Sequence, residues 1–269
     1  RVSVVRVANS RTIARPGGAG DIAALRADAW PREAITDPAT ALDEVVGALG
    51  KTGTRILVDA TASDAVAARH AAWLEQGVHV VTACKLGQGT SLARWQAIRA
   101  ACARGGTRYG DSATVGAGLP VLATLRALQS GGDRIHAIAG VLSGSLAWLF
   151  HQFDGMRPFS GFVRQARDAG YTEPDPRDDL SGEDVRRKLL ILARAAGVPL
   201  DAADVDVDSL VPGALAALAA GEVDAALPSL DAPLRARFAE AHRRGEVLRF
   251  IARLEDGRAR VALEALPAD

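Results

Sequence analysis

The sequence predicts an α/β protein in two parts, with a parallel sheet over residues 1–106 and an α+β arrangement over residues 107–269. Two observations predict this. Short β-branched runs alternate with helical stretches through the first part, as in parallel strands covered by helices. From about Thr107 the texture turns to small residues and glycine, then to helices and two long alternating strands, with no internal repeat. The first part reads as an incomplete Rossmann-like sheet. The second reads as helices laid on one face of a sheet.

Taken in order, Val2 to Ala8 is an apolar run ending at Asn9-Ser10 and reads as a buried strand. Arg15 to Gly20 is a loop, and helical periodicity follows over Ile22 to Ala29 and Ala39 to Leu49. Arg55 to Asp59 is a second strand, closed by Ala60-Thr61-Ala62-Ser63. Asp64 to Gln76 is a helix, His79 to Thr82 a third strand, and Leu92 to Arg104 a further helix. Pro120 opens the helix Val121 to Gln129, since a first-turn position needs no N–H partner. Arg134 to Leu142 alternates as a strand until Ser143-Gly144-Ser145 breaks it before the helix Leu146 to Phe153. Phe159 to Ala169 is a helix stopped by Gly170, and Tyr171 to Leu180 is a polar loop. Glu183 to Ala196 and Leu230 to Arg243 are helices, and Val247 to Leu254 and Arg258 to Leu266 are the closing strands.

The chain has 32 basic and 32 acidic residues, so no net field draws it to nucleic acid or an anionic membrane. No apolar run approaches the roughly 18 residues of a membrane span, and no signal peptide is evident. Two cysteines, Cys84 and Cys102, cannot build a disulfide framework and suit a reducing cytoplasm. The chain begins at Arg1 and its one methionine is Met156, so a piece of a longer protein, truncated at both ends, is expected. A parallel sheet without its first strand is expected to expose an apolar edge and face.

Only three of the 32 basic residues are lysines: Lys51, Lys85 and Lys188. Arginine cannot release its proton at a useful pH, whereas a lysine amine can be tuned to do so. A lysine kept in such a chain is a candidate for chemistry. Lys85 follows the end of a buried parallel strand, where such sheets place their ligand crevice; an idle loop lysine is the alternative. Cys84 beside it has no neighbouring histidine to activate it and reads as a small buried residue.

The stretch Gly170 to Lys188 (GYTEPDPRDDLSGEDVRRK) concentrates Glu173, Asp175, Asp178, Asp179, Glu183 and Asp184. Pro174 and Pro176 keep its first half extended, and Ser181 is the expected helix N-cap, with Asp184 completing a weak capping box. Asp184 and Lys188 are four apart and share a helix face, while Val185, Leu189 and Leu192 lie on the buried side. Two readings stand: a solvated loop with a surface ion pair, or an acidic cleft whose carboxylates grip an ammonium while the lysine reaches an oxygen. The carboxylate spacing does not match a calcium loop. The dinucleotide fingerprint G-x-G-x-x-G after a first strand is absent. Asn9, Ser10 and Arg11 end the Val2 to Ala8 run, which would be the second strand of a dinucleotide fold lacking its first, where an arginine without an acid favours NADP over NAD.

Together Val58 to Ser63, Val80 to Lys85, Ala113 to Pro120 (ATVGAGLP), Gly140 to Ser145 (GVLSGS) and Gly170 to Lys188 resemble homoserine dehydrogenase. That enzyme interconverts L-homoserine and L-aspartate 4-semialdehyde with NAD(P)(H) on the way to threonine and methionine. The resemblance implies catalysis by Lys188, Lys85 and Asp184, with Lys188 the proton donor. It implies substrate binding by Glu173, Asp179, Asp184 and Lys85, and cofactor contacts at Thr61, Ser63, Lys85 and Gly170, beside Asn9, Ser10 and Arg11. It further implies a sodium ion on backbone carbonyls at Ser112, Val115, Ala117 and Leu119, although the family usually has glutamate where Ser112 stands. Cys84 likewise replaces an asparagine. Residues 1–106 would be the NADP-binding domain and 107–269 the substrate-binding and dimerisation domain. A cytoplasmic homodimer, with an aspartate kinase fused ahead of it, is the implied setting. The competing reading is an inactive relative kept as an oligomerisation or regulatory module.

Overall fold

The computed structural model describes residues 3–15 and 30–268. It divides into two compact units, Arg1–Cys84 with Gln96–Asp111 and Lys85–Trp95 with Ser112–Asp269.

In the first unit the chain opens with a small antiparallel sheet of β1 (Val7–Ala8), β2 (Thr12–Ala14) and β3 (Arg32–Ala34). This corrects the expected buried strand over Val2 to Ala8. The Asn9 carboxamide oxygen accepts from Arg11 N at 2.8 Å, Thr12 N at 2.7 Å and Thr12 Oγ1 at 3.3 Å. That turn doubles the chain back before a long strand can form, and Val5 and Val7 stay 40% and 38% exposed. Asn9, Ser10 and Arg11 therefore sit in a hairpin turn, not at the end of a parallel strand. The expected helix over Ile22 to Ala29 and most of the Arg15 to Gly20 loop lie outside the described residues. The Ala39 to Leu49 helix is two short pieces, Pro38–Asp43 and Val45–Ala48, separated at Glu44.

The parallel sheet is present as β4 (Arg55–Asp59), β5 (Val78–Thr82) and β6 (Tyr109–Gly110), in that order. Alternation sends Leu57 and Val80 toward Leu74, Ile98 and Ala101 of the two helices Asp64–Glu75 and Leu92–Gly105. The opposite face leaves Ile56, Val58 and Val81 at 44%, 71% and 45% exposure, in line with the expected apolar face.

The second unit holds a four-stranded sheet of order β7 (Ala137–Gly140), β9 (Glu246–Glu255), β10 (Arg258–Pro267) and β8 (Val205–Val207). β9 and β10 pair antiparallel from Arg258↔Glu255 to Pro267↔Glu246. Asp256 and Gly257, at φ 49° and 75°, form the tight turn between them. β7 runs antiparallel to β9, whereas β8 runs parallel to β10. β7 is shorter than the Arg134 to Leu142 alternation suggested, and β8 was not recognised in sequence.

Leu248, Phe250, Ala252 and Leu254 of β9 pack against Leu146, Leu149, Phe150, Phe159, Phe162, Leu189 and Leu190 from the overlying helices. Phe153 meets Phe159, Phe162 and Phe238 edge-on at 5.2, 5.9 and 5.4 Å between centroids. Each such fully buried side chain contributes about 1.5–3 kcal/mol. Against this core lies the helix Glu183–Ala195, with Val185, Leu189 and Leu192 at 1%, 0% and 2% exposure. No helix among the described residues is long and apolar enough to cross a membrane.

Candidate functional site

In the second unit the helix Glu183–Ala195 holds Asp184 and Lys188 on one face, alongside its buried stripe. Its start differs from the expectation. Gly182, at φ 79°, takes the N-cap position. A side chain at Gly182 would press on Phe250 Cζ at 3.0 Å, so packing against the sheet selects a residue without one. Ser181 sits one residue earlier, its Oγ donating to Asp178 O at 3.0 Å and accepting from Glu183 N at 3.3 Å. Asp184 makes no capping box and turns instead to the lysines.

The Asp184 carboxylate is bracketed by two ammonium groups, Lys188 Nζ at 2.9 Å on Oδ2 and Lys85 Nζ at 3.3 Å on Oδ1. Burial pushes its carboxyl up, but the Lys188 hydrogen bond and charge, joined by Lys85, outweigh this and hold it below the usual range. Lys188 also donates to Leu142 O at 2.7 Å. An ammonium has three N–H donors, so one remains uncommitted among the described residues. At 18% side-chain exposure Lys188 is the more enclosed lysine, against 31% for Lys85.

Leu142 belongs to the corner between β7 and the helix Gly144–Gln152, and the same corner reaches the acidic loop. Ser143 caps that helix, accepting from Leu146 N at 3.2 Å, and lies 2.9 Å from Ser145 Oγ. Ser145 Oγ donates to Asp179 Oδ1 at 2.6 Å, and Asp179 Oδ2 accepts Glu173 N at 2.8 Å. The loop is therefore built rather than merely solvated. Asp175 is taken up by Arg177, whose guanidinium holds the Asp175 carboxyl below its usual range. Arg177 also donates to Leu218 O at 2.7 Å. Glu173 keeps an exposed side chain beside the buried Thr172 Oγ1, which has no hydrogen-bonding partner. Gly170, at φ 72°, faces open space. A bare backbone beside an orphaned buried hydroxyl fits a polar ligand group such as a carboxamide. Leu142, Ser143 and Ser145 carried no role in the sequence reading. Their signal was the GVLSGS stretch that shares in the resemblance, with its S-G-S break between strand and helix.

The loop for the implied cation begins with a 3-10 turn at Ser112–Thr114 and continues through Val115, Ala117 and Leu119. Gly116 and Ala117 both have positive φ, 77° and 49°, and Leu119 N donates to Gly116 O at 2.9 Å. No group of three or more His, Cys, Asp or Glu among the described residues could hold a metal ion.

In the first unit the end of β4 is organised by Asp59, whose side chain is fully buried. Its Oδ1 accepts Thr61 N at 2.9 Å and Thr61 Oγ1 at 2.8 Å. Its Oδ2 faces His70 Nε2 at 3.0 Å and Thr82 Oγ1 at 3.3 Å. The other ring nitrogen of His70 lies 2.9 Å from Tyr109 OH. A neutral imidazole satisfies both contacts, donating from Nε2 and accepting the phenol proton at Nδ1. Burial raises the Asp59 carboxyl, and the His70 hydrogen bond with the Thr61 donors more than reverses it, leaving it lowered. Burial pushes the Tyr109 phenol well up. Thr82 Oγ1 accepts Cys84 N at 2.8 Å, so the ends of β4 and β5 are stitched together. Ser63 accepts from Val66 N at 3.4 Å and caps the helix Asp64–Glu75. Cys84 is 3% exposed, as expected of a small buried residue. Nothing in the sequence pattern marked His70.

Residues 120–269 match the homoserine dehydrogenase family model, and residues 1–110 match the homoserine dehydrogenase NAD-binding domain. A chloroplastic bifunctional aspartokinase/homoserine dehydrogenase of Zea mays is 45% identical over 75% of this chain and 22% of its own length. A homoserine dehydrogenase of Emericella nidulans is 39% identical over 81% of this chain and 62% of its own length. The chain thus spans less than a quarter of the plant relative and under two thirds of the fungal one. Among solved structures, a Candida auris protein of unknown function is similar at TM-score 0.86 and 32% identity, covering 99% of this chain and 76% of that one. A hyperthermophilic archaeal homoserine dehydrogenase in complex with NADPH shares the fold at TM-score 0.70 and 19% identity, covering 98% of this chain and 73% of that one.

Proposed function

This chain belongs to the homoserine dehydrogenase family, and we propose that it interconverts L-homoserine and L-aspartate 4-semialdehyde using NADP, with NAD the alternative cofactor. The observation that carries the proposal is the Lys85–Asp184–Lys188 arrangement, in which two of the chain's three lysines meet one carboxylate. When bound, the nicotinamide cofactor supplies or accepts the hydride. In the reducing direction the aldehyde oxygen gathers negative charge and needs a proton. The Lys188 ammonium, held by Asp184 and Leu142 O, directs its third N–H to that oxygen, first stabilising the charge and then releasing the proton. Asp184 orients both lysines, and Lys85 stands at the junction of substrate and cofactor. Glu173 and Asp179 receive the amino acid's ammonium, with Ser145 and the Glu173 N–H holding Asp179 in place.

Thr61, Ser63, Lys85 and Gly170 hold the nicotinamide end of the cofactor, supported by the open backbone at Gly170 and the unpartnered Thr172 hydroxyl. Asn9, Ser10 and Arg11 hold the adenosine end. Residues 1–106 act as the cofactor domain and 107–269 as the substrate and dimerisation domain. The sodium ion rests on the carbonyls of Ser112, Val115, Ala117 and Leu119, a set without charge because serine stands at 112. A homodimer, fused behind an aspartate kinase and working in a reducing compartment such as the cytoplasm, completes the proposal. Neither described cysteine forms a disulfide.

The test is homoserine-dependent NADP reduction by the full-length protein, beside Lys188→Ala and with sodium replaced by choline. Activity lost in Lys188→Ala supports the assignment. A folded, inactive wild type overturns it in favour of the regulatory module, a reading that the intact Lys85–Asp184–Lys188 arrangement otherwise weighs against.

A further inference from the structure

Arg194 lies nearly three turns beyond Asp184 on the same helix and is 2% exposed. Among the described residues no carboxylate pairs with its guanidinium. Its donors go to four carbonyl contacts: Gln88 O through Nη1, Thr90 O at 2.8 Å through Nη2, and Leu200 O at 3.1 and 2.8 Å through Nε and Nη2. Burial pulls its pKa down and nearby Asp201 offsets this only in part. Enclosing an ion in this way is costly. What the guanidinium does hold is the segment that carries Lys85.

That segment is fastened to the helix along its length. Lys85 meets Asp184 at 3.3 Å. Gly89 lies so close to Arg187 that a Cβ would stand 2.9 Å from Arg187 Cβ and Arg187 O, and 2.8 Å from Lys85 O. Gln88 and Thr90 are gripped by Arg194, and Leu92 N donates to Asp201 Oδ2 at 2.7 Å. The turn itself closes through Gly89 N to Lys85 O at 2.6 Å and Thr90 Oγ1 to Leu86 O at 2.8 Å. From Asp184 to Arg194 the helix rises about 15 Å, and residues 85–90 follow it.

We infer that Arg194 is a positioning residue for Lys85: by clamping the carbonyls of Gln88 and Thr90 it fixes the loop that brings the Lys85 ammonium to Asp184. Arginine is required because one planar fork serves several carbonyls at once, whereas lysine offers a single point of donation. The inference rests on the role proposed above for Lys85.

A double-mutant cycle in the full-length protein tests it, comparing wild type, Lys85→Ala, Arg194→Ala and the double variant for kcat/KM with homoserine. Misplacement of a reacting group by about 1 Å costs on the order of 10²-fold, and Arg194→Ala is expected to lose that much alone. In the Lys85→Ala background it loses almost nothing, and Arg194→Lys recovers part of the single loss. Should Arg194→Ala not fold, Gly89→Ala replaces it, since the added Cβ forces the loop off the helix while the buried charge remains. The same non-additivity with Lys85→Ala is then expected. Additive losses, with Lys85→Ala itself strongly impaired, overturn the inference and leave the proposed function standing. An unimpaired Lys85→Ala removes the role of Lys85 and the inference with it, and an inactive wild type signals failure of the proposed function instead.

Discussion

Replacing Asp59 by alanine removes the acceptor of four donors at once. Two of them, Thr61 N and Oγ1, belong to an exposed residue and can turn to water. The other two cannot: His70 is 0% exposed and Thr82 2%. Stranding a buried donor costs about 1–3 kcal/mol, so with two stranded Asp59→Ala is expected to lose about 2–6 kcal/mol. Asp59→Asn preserves the shape. Its carbonyl keeps the Thr61 bonds, and its amide can donate to His70 Nε2 if the ring changes tautomer and offers Nδ1–H to Tyr109. It should lose less than half as much. Chemical denaturation followed by tryptophan fluorescence is a suitable assay, because Trp73 lies 6.0 Å from the His70 ring. The pH dependence adds a sign. The folded Asp59 pKa is lowered, so its stabilisation is fully present above the unfolded value of about 3.9 and fades as pH falls through the folded value. That part of the acid limb should vanish in Asp59→Ala. A loss under about 1 kcal/mol, less than one stranded donor should cost, or equal losses in the two variants, would refute the reasoning.

Three further outcomes are expected. Lys188→Arg keeps a cation beside Asp184 but cannot release its proton, so it should lose about 10²–10⁴-fold in kcat/KM, and recovery to within tenfold of wild type would remove Lys188 as proton donor. In Lys188→Ala the largest opposing influence on the Asp184 carboxyl disappears, so its pKa, followed by carboxyl NMR, should rise; the Asp184 contribution to stability, present above the unfolded carboxylate value, should then be lost at a higher pH as acid is added. Gly182→Ala must hold alanine at φ 79° and push Phe250 from 3.0 Å, so thermal melts should show a loss of about 1–2 kcal/mol, and a neutral effect would mean that the N-cap adjusts freely.

The sequence alone determined the long elements and their chemistry. Apolar periodicity marked the helix Glu183–Ala195 and the β9–β10 hairpin because each buries one regular face, and a pattern of period 3.6 or 2 needs no distant partner to be visible. The scarcity of lysine and the Asp184–Lys188 spacing pointed to the site for the same local reason. What depended on distant contacts did not show. Val2 to Ala8 looked like a core strand, yet only Val7–Ala8 pair, in a small hairpin closed by the Asn9 turn. Ser181 was the expected cap, yet Gly182 takes that place because Phe250, far along the chain, fills the space above residue 182. Lys85 and Asp184 lie ninety-nine positions apart, and only the folded chain, with residues 88–92 fastened to Arg194 and Asp201, shows them within 3.3 Å. His70 and Tyr109 acquire meaning only beside Asp59, whose buried carboxylate must collect its donors from wherever the chain passes.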